Sequence, residues 1–226
     1  MIIAGIILGV IALCVVLYKI TKHVERKRTE AMRFVAGDLG YGFDEEAEAA
    51  APWREAGFAL FEPGHGKDAS NAMAGDAGDV ELVAFDYRYS TGSGDSTTHH
   101  VLAVAALRVP GATLPPFHLR AEGFGQRLIA ALGGQDIDFD TQPAFSKGYR
   151  LTSKQEEATR AFFDDALLTF FATRHDPKLT VETQGDRLIV YTAQRHRRKP
   201  ESYPQLIDDA LAVVLEFTGR AGRAAV

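Results

Sequence analysis

The sequence has few of the residues from which disulfides and metal sites are built. Its 226 residues include a single cysteine, Cys14, so no disulfide can form within the chain. The seven histidines are scattered, and neither an H-E-x-x-H motif nor a paired cysteine spacing occurs. The sequence therefore predicts no metal site and no cofactor, and a fold held together by burial alone.

Acidic residues outnumber basic residues after the first 28 positions. The whole chain has a net charge of −5, although residues 1–28 carry five basic side chains and only one acidic side chain. The remaining residues therefore have a net charge of −9. Because an acidic surface repels a phosphate backbone, we expect no binding to nucleic acid.

One long hydrophobic run is present, at residues 2–18, where every side chain is apolar, small or aromatic. As a helix this run spans roughly 26 Å, close to the thickness of the hydrocarbon core of a bilayer. A cleaved signal peptide would begin with basic residues, whereas here Lys19 and Lys22 follow the run. A buried core helix is the remaining alternative. We expect a transmembrane anchor at residues 1–20 that contacts the lipid bilayer through residues 2–18.

The basic residues that follow the run predict its orientation. The positive-inside rule places them in the cytoplasm, which gives a single-pass protein of the inner (cytoplasmic) membrane with a cytoplasmic C-terminal domain. We expect a basic juxtamembrane helix or linker at residues 21–42 and an α+β domain at 43–226. Gly5 and Gly9 have the G-x-x-x-G spacing at which two membrane helices pack closely, although chance also explains this spacing.

The domain is predicted to contain an antiparallel sheet with packed helices. Residues 43–79 are rich in Gly, Ala, Pro and Asp and are predicted to be mostly loop, with Trp53 and residues 58–61 in the core. Alternating patterns predict a hairpin from residues 80–90 and 97–109, and a second hairpin across residues 179–191. Apolar residues at helical spacing predict helices at 123–132, 153–173 and 204–218.

Three groups of motifs support a resemblance to other proteins. They are residues 85–89 (FDYRY) with 92–94 (GSG), residues 115–120 (PPFHLR) and residues 138–149 (DFDTQPAFSKGY). Together they resemble an uncharacterised bacterial family whose members also have a short membrane anchor before the domain. The resemblance covers roughly Phe58 to the C-terminus. It implies no known activity, cofactor or catalytic residue.

The first hairpin contains the candidate catalytic residues. Asp86 and Arg88 share one face of a strand, and His99 and His100 lie on the next strand, so a carboxylate and a histidine are candidates for general acid–base chemistry. A surface ion pair, or a tie to the neighbouring strand, is the structural alternative. Because adjacent histidines on a strand point to opposite faces, they do not form a metal site together.

A second candidate is the basic run before the last helix, which we examine as a binding site for lipid headgroups. Its residues attract anionic lipid if they lie near a membrane surface, and a solvated turn is the alternative. The basic residues are Arg195, Arg197, Arg198 and Lys199.

No motif in the sequence identifies a reaction. We therefore expect a membrane-tethered cytoplasmic domain that binds a protein or a membrane component, with a protein partner of unknown identity. The alternative is a membrane-anchored enzyme with a site near the hairpin of residues 85–100.

Overall fold

The computed structural model describes residues 2–121, 135–173 and 179–221, and of residues 2–8, 10, 135, 220 and 221 it describes the backbone alone. The predicted helix at 123–132 lies outside the described residues. The described helices and strands, in chain order, are α1 (Ile2–Leu39), β1 (Gly42–Asp44), α2 (Ala51–Arg54), β2 (His65–Ala77), β3 (Val80–Thr91), β4 (Thr98–Arg108), β5 (His118–Ala121), β6 (Gln135–Asp136), α3 (Pro143–Gly148), β7 (Tyr149–Ser153), α4 (Glu156–Phe162), α5 (Asp165–Thr173), β8 (Thr180–Gln184), β9 (Arg187–Thr192) and α6 (Tyr203–Ala221).

The nine described strands form one sheet in the order β1-β2-β3-β4-β9-β8-β5-β7-β6. Every neighbouring pair is antiparallel, which confirms the predicted α+β class. The first predicted hairpin is β3–β4, paired from Glu81↔Arg108 to Thr91↔Thr98. The second is β8–β9, where Gly185 has a φ of 67° in the tight turn that joins the strands.

The prediction that residues 43–79 are mostly loop is wrong. This stretch contributes β1 and the 13-residue strand β2, which pairs with β3 along its length. Its glycines, alanines and polar residues have low strand propensity, and two register shifts interrupt the alternation by which strands are recognised. The hydrogen bonds and side-chain packing that β2 makes with β3 outweigh the low strand propensity of its residues. The predicted core residues are confirmed, since Trp53 and Phe58 are 6% and 2% exposed.

Both faces of the central strands are covered. On one face, side chains such as Leu82 and Ala84 pack against α1, α6 and the helices α3–α5. On the other face, Val83 and Phe85 pack beneath residues 47–61, which carry Trp53. This two-sided burial means that a polar residue on either face of β3 requires partners.

The helix α1 is unbroken across the boundary predicted between residues 20 and 21. Its C-terminal half is packed on the sheet, where Met32 and Ala36 are fully buried. Its earlier part is uncovered, since Ile11, Leu13 and Leu17 are each more than half exposed. In the part of the chain whose side chains the structure describes, no helix is long and apolar enough to cross a membrane.

The helix predicted at 153–173 is divided into α4 and α5. Phe163 leaves the helical region with ψ near 76°, and Asp164 caps the second helix by accepting the backbone N–H of Leu167 at 2.9 Å. Ser153, the first residue of the predicted helix, lies before α4 and accepts the N–H of Gln155 at 2.9 Å.

Candidate functional site

A buried carboxylate, Asp86, joins α1, β2, β3 and α6. Arg28 of α1 donates to both of its oxygens, from Nε at 2.8 Å and from Nη2 at 2.5 Å. Asn71 of β2 donates from Nδ2 at 2.9 Å, and Tyr203 at the start of α6 donates from its hydroxyl at 2.7 Å. We call these four side chains the Asp86 latch, because they fasten α1 to the sheet and to the last helix.

Local structure brings the cation of the latch to the carboxylate. Asp86 lies on the helix-covered face of β3, the face that also carries Leu82 and Ala84. Arg28 precedes Met32 by four residues on α1, so the two side chains project from the same helix face toward the sheet. Its Nη2 also donates to the carbonyl oxygen of Arg198 at 2.7 Å, which ties the segment before α6 to the latch.

The amide of the latch is placed by a bulge in β2. The pairing of β2 with β3 shifts register between Ser70 and Met73, and Asn71 has a φ of 54° there. Asparagine is among the few residue types that tolerate this left-handed conformation, and a bulge redirects the side chain that it carries. The backbone N–H of Asn71 donates to the carbonyl oxygen of Glu45 at 2.9 Å, which holds the bulge against the chain after β1.

The donors of the latch remain protonated at neutral pH. Burial alone would lower the pKa of Arg28, but the hydrogen bonds and charge of Asp86 outweigh it and raise that pKa above its ordinary value. Burial, together with the charge of Asp86, raises the pKa of Tyr203 well above its ordinary value. The latch is therefore an ion pair supported by neutral donors, an arrangement suited to holding elements together and not to transferring a proton.

A pocket of about 440 Å³ opens beside the latch. Arg88, the other candidate on this face, lines it and donates to Asp68 at 2.8 Å and to Glu25 at 3.4 Å. Carboxylates outnumber guanidinium groups in its wall, so we call it the acidic pocket. Its charged lining residues are Glu25, Arg28, Glu45, Glu46, Asp68, Asp86 and Arg88.

The hairpin does not bring the two candidate histidines to Asp86. In the β3–β4 register Asp86 faces Ala103, whereas His99 and His100 pair with Ser90 and Tyr89. They lie three or four positions along the strand, or roughly 10 to 14 Å away at about 3.4 Å per residue. His100 stacks on Tyr89 with ring centroids 4.5 Å apart, and His99 contacts the Ser90 hydroxyl at 2.9 Å.

The four basic residues of the predicted headgroup site occupy different environments. Arg197 is 9% exposed and forms a short ion pair with Asp209 of α6. Arg198 is partly buried, and burial, followed by repulsion from Arg28, lowers the pKa of its guanidinium. Arg195 and Lys199 are exposed. Two of the four side chains thus remain available to an external surface.

Gly5 and Gly9 lie on α1, and a Cβ built at Gly9 would have no atom within 4 Å. In the described parts of the chain, no three His, Cys, Asp or Glu side chains are grouped closely enough to hold a metal ion.

A second buried polar cluster lies on the other face of the sheet. The Glu182 carboxylate accepts the backbone N–H groups of Ala59 at 2.6 Å and Leu60 at 3.1 Å, and the Tyr191 hydroxyl at 2.8 Å. His118 approaches the same tyrosine oxygen through Nε2 at 3.3 Å and the carboxylate at 3.8 Å. We call Glu182, Tyr191 and His118 the Glu182 cluster.

Burial sets the protonation states of this cluster. It raises the pKa of Glu182 to about 7, against the opposing effect of its three hydrogen bonds. It lowers the pKa of His118 to about 4, with help from the charge of Arg120. His118 is therefore neutral near pH 7, and its approach to Glu182 is not an ion pair at that pH.

Few features of the sequence indicate either cluster. Arg28 and Tyr203 are 58 and 117 positions from Asp86, and no local pattern connects them. Glu182 and His118 lie on strands of five and four residues, and no local pattern connects these two residues either. A charged residue inside an apolar strand pattern was the available clue, and Asp86 within β3 is such a residue.

Together these features define a class: an antiparallel sheet covered by helices on one face, with a long N-terminal helix joined to it by a buried ion pair. No protein-family model matches the chain, and no curated protein matches it. Among solved structures it is similar to the crystal structure of the mycobacterial trehalose monomycolate transport factor A, TtfA. The TM-score is 0.55, over 85% of this chain and 93% of that chain, at 15% sequence identity. At that identity the likeness concerns the fold alone.

Proposed function

We propose that this protein is a membrane-tethered interaction module. The apolar N-terminal end of α1 is its anchor, and the sheet domain lies at the cytoplasmic face of the inner membrane, where it binds a protein partner. The observation that carries the proposal is the division of α1 into an uncovered apolar part and a packed part within one unbroken helix.

The physical argument concerns the surface of α1. Apolar side chains left in water cost about 25 cal/mol per Å², so a run such as residues 2–18 favours an apolar environment. The sheet covers none of the side chains described between Ile11 and Ile20, all of which are exposed. A bilayer would cover them, and Lys19 and Lys22 would then reach the headgroup region.

In this proposal, the latch fixes the position of the domain relative to the anchor. Because Arg28 is bonded to the buried Asp86, and Met32 and Ala36 are packed on the sheet, α1 cannot swing freely relative to the domain. Arg28 lies ten residues after Tyr18, which is about 15 Å along the helix. The domain is thereby held at a fixed distance and orientation from the end of the apolar run.

The acidic pocket is the surface that we propose for the partner. It lies beside α1 between Glu25 and Thr29, on the side of the domain nearest the tether, and carries excess carboxylate. Such a surface favours a basic segment of a protein over an anionic lipid. Because the similar solved structure is that of a transport factor, we include an accessory role in transport in the proposal.

Co-purification from gently solubilised native membranes tests the proposal. The full-length protein should retain a stoichiometric partner, identified by mass spectrometry, and a chain without residues 2–18 should lose it or retain less. Glu46→Lys should weaken retention at least fivefold, because this exposed side chain reverses charge in the pocket. Glu157→Lys, an exposed reversal on α4, is the matched control.

Equal retention by both variants would exclude the acidic pocket as the docking surface. No partner with any form of the protein would contradict the interaction role itself.

The alternative of an enzyme near residues 85–100 gains no support from the hairpin. Asp86 is fully engaged in the latch, and the histidines lie several positions away from it.

A further inference from the structure

A cleft of about 450 Å³ lies over the Glu182 cluster, on the sheet face opposite the Asp86 latch. It is bounded by the chain from Gly57 to Glu62, by the end of β7 with the start of α4, and by β5 and β8. A volume of this size is in the range of small-molecule sites. The acidic pocket and the tether do not involve it, so its role lies beyond the proposed function.

The hydrogen bonds of the cluster assign the tautomer of His118. Tyr191 donates its hydroxyl proton to Glu182, so the tyrosine oxygen accepts from His118, and Nε2 carries the imidazole proton. Since the ring is neutral, Nδ1 is a lone-pair acceptor. No described residue hydrogen-bonds to Nδ1, although His118 is 7% exposed and lines the cleft. Nδ1 is not one of the buried unpaired atoms of the described residues, so it is open to the cleft, and a ligand there can donate a hydrogen bond to it.

The other residues that line the cleft indicate the chemical class of a ligand that could donate to His118 Nδ1. The rim carries one cation and one anion, Lys154 and Glu62, whose charges cancel. The Glu182 oxygens already accept three hydrogen bonds, so they offer little to an ammonium group. The other lining side chains are uncharged and mix amides and hydroxyls with aromatic carbon: Phe58, Phe117, Thr152, Ser153, Gln155, Thr183 and Gln184.

We propose that this cleft binds a small, uncharged, hydroxyl-rich molecule, one hydroxyl of which donates a hydrogen bond to His118 Nδ1. The relay from Glu182 through Tyr191 holds the imidazole in the tautomer that accepts this bond. Phe58, which lines the cleft on this face of the sheet, supplies apolar surface against which the C–H faces of such a molecule pack.

Saturation-transfer NMR on the full-length, detergent-solubilised protein tests the proposal, with trehalose, myo-inositol and glycerol as uncharged probes. Choline and inorganic phosphate are the charged probes. At least one uncharged probe should give transfer signals, and neither charged probe should. His118→Gln retains a polar group near Nε2 but removes the Nδ1 acceptor, so it should weaken binding at least tenfold.

A second variant makes the test independent of the buried histidine. Gln184→Trp fills the cleft from an exposed position at the end of β8, and should abolish the signals. Thr98→Trp, exposed at the start of β4 and outside the cleft, should leave them unchanged. The proposal is overturned if no uncharged probe binds, if choline or phosphate binds instead, or if Gln184→Trp binds as the wild type does. None of these results depends on the tether or its partner.

Discussion

At the scale of single residues, Asp86 combines a predictable position with unpredictable partners. The alternation of β3 correctly placed it on the face opposite Phe85 and Tyr87, where it was a candidate catalytic residue, with a surface ion pair or a tie to the neighbouring strand as the alternative. That face is instead covered by α1 and α6, which supply Arg28 and Tyr203 from distant parts of the chain. Sequence alternation separates two faces of a strand, but it does not say which elements will cover each one.

The latch makes a first prediction. Asp86→Asn should lower the free energy of unfolding by about 3 kcal/mol, since removing one member of a buried ion pair leaves the other charge uncompensated. Urea denaturation measures this change. Arg88→Met on the same strand face is the control, because its pairs with Glu25 and Asp68 are about half exposed and should contribute less than about 1 kcal/mol. Equal losses in the two variants would contradict the structural role of the latch.

The Glu182 cluster makes a second prediction, about pH. The folded-state pKa of Glu182 is raised to about 7 from 4.5, so its contribution to stability falls as pH rises through that interval. The pKa of His118 is lowered to about 4 from 6.5, so its contribution rises with pH over nearly the same interval. The two dependences oppose each other in the wild type.

Glu182→Gln should remove the pH dependence of stability that comes from Glu182 and leave the one that comes from His118. Between about pH 5 and pH 6, the free energy of unfolding of the variant should then rise, relative to the wild type, by roughly 1.4 kcal/mol per pH unit. Urea midpoints across this range measure the difference in slope. Parallel profiles for variant and wild type would mean that Glu182 titrates normally.

At the scale of elements, sequence patterns identified the parts with strong periodicity. The hairpin β3–β4 and the helix α6 have clear patterns, and both were predicted within a few residues of their observed bounds. β2 was missed because Ala and Gly dominate its centre and a bulge interrupts its alternation. The division between α4 and α5 was missed because apolar spacing continues across Phe163, where the backbone leaves the helical conformation and Asp164 caps the second helix.

The packing of Tyr41 against β2 makes a third prediction. A Cβ at Gly75 would lie within 3 Å of the Tyr41 ring, so Gly75→Ala should lower the free energy of unfolding by about 2 kcal/mol through overpacking. Gly42 on the neighbouring strand β1 is the matched control, because a Cβ there would meet only the Ala74 carbonyl oxygen at 3.6 Å. Thermal denaturation compares the two variants. A Gly75→Ala protein as stable as Gly42→Ala would show that Tyr41 moves aside without cost.

At the scale of the whole molecule, an acidic pocket and two exposed cations lie near the point where the uncovered N-terminal part of α1 leaves the domain. The acidic pocket lies at the side of the domain where α1 leaves the sheet, and the exposed cations Arg195 and Lys199 lie in the segment that Arg28 ties to the latch. If this side faces a membrane, the cations contact anionic headgroups while the pocket remains open to a basic partner.

That arrangement makes a fourth prediction. A chain without residues 2–18 should sediment with anionic vesicles, and Arg195→Gln with Lys199→Gln should weaken this binding roughly tenfold, at about 1 kcal/mol per basic residue. Lys147→Gln with Lys154→Gln, two exposed cations elsewhere, should change it little. Unchanged binding in the first pair, or no binding by the parent chain, would exclude these residues as headgroup contacts.

The tether itself is tested most directly by the single cysteine. Cys14 is exposed on the uncovered part of α1, and in hydrocarbon a thiol does not ionise to the reactive thiolate. In native membranes opened on both sides, Cys14 should resist a water-soluble maleimide and should react only after denaturation. Phe34→Cys in a Cys14→Ser chain, on the exposed face of the same helix, should react at once. Equal labelling of the two cysteines in intact membranes would contradict a membrane anchor at residues 2–18.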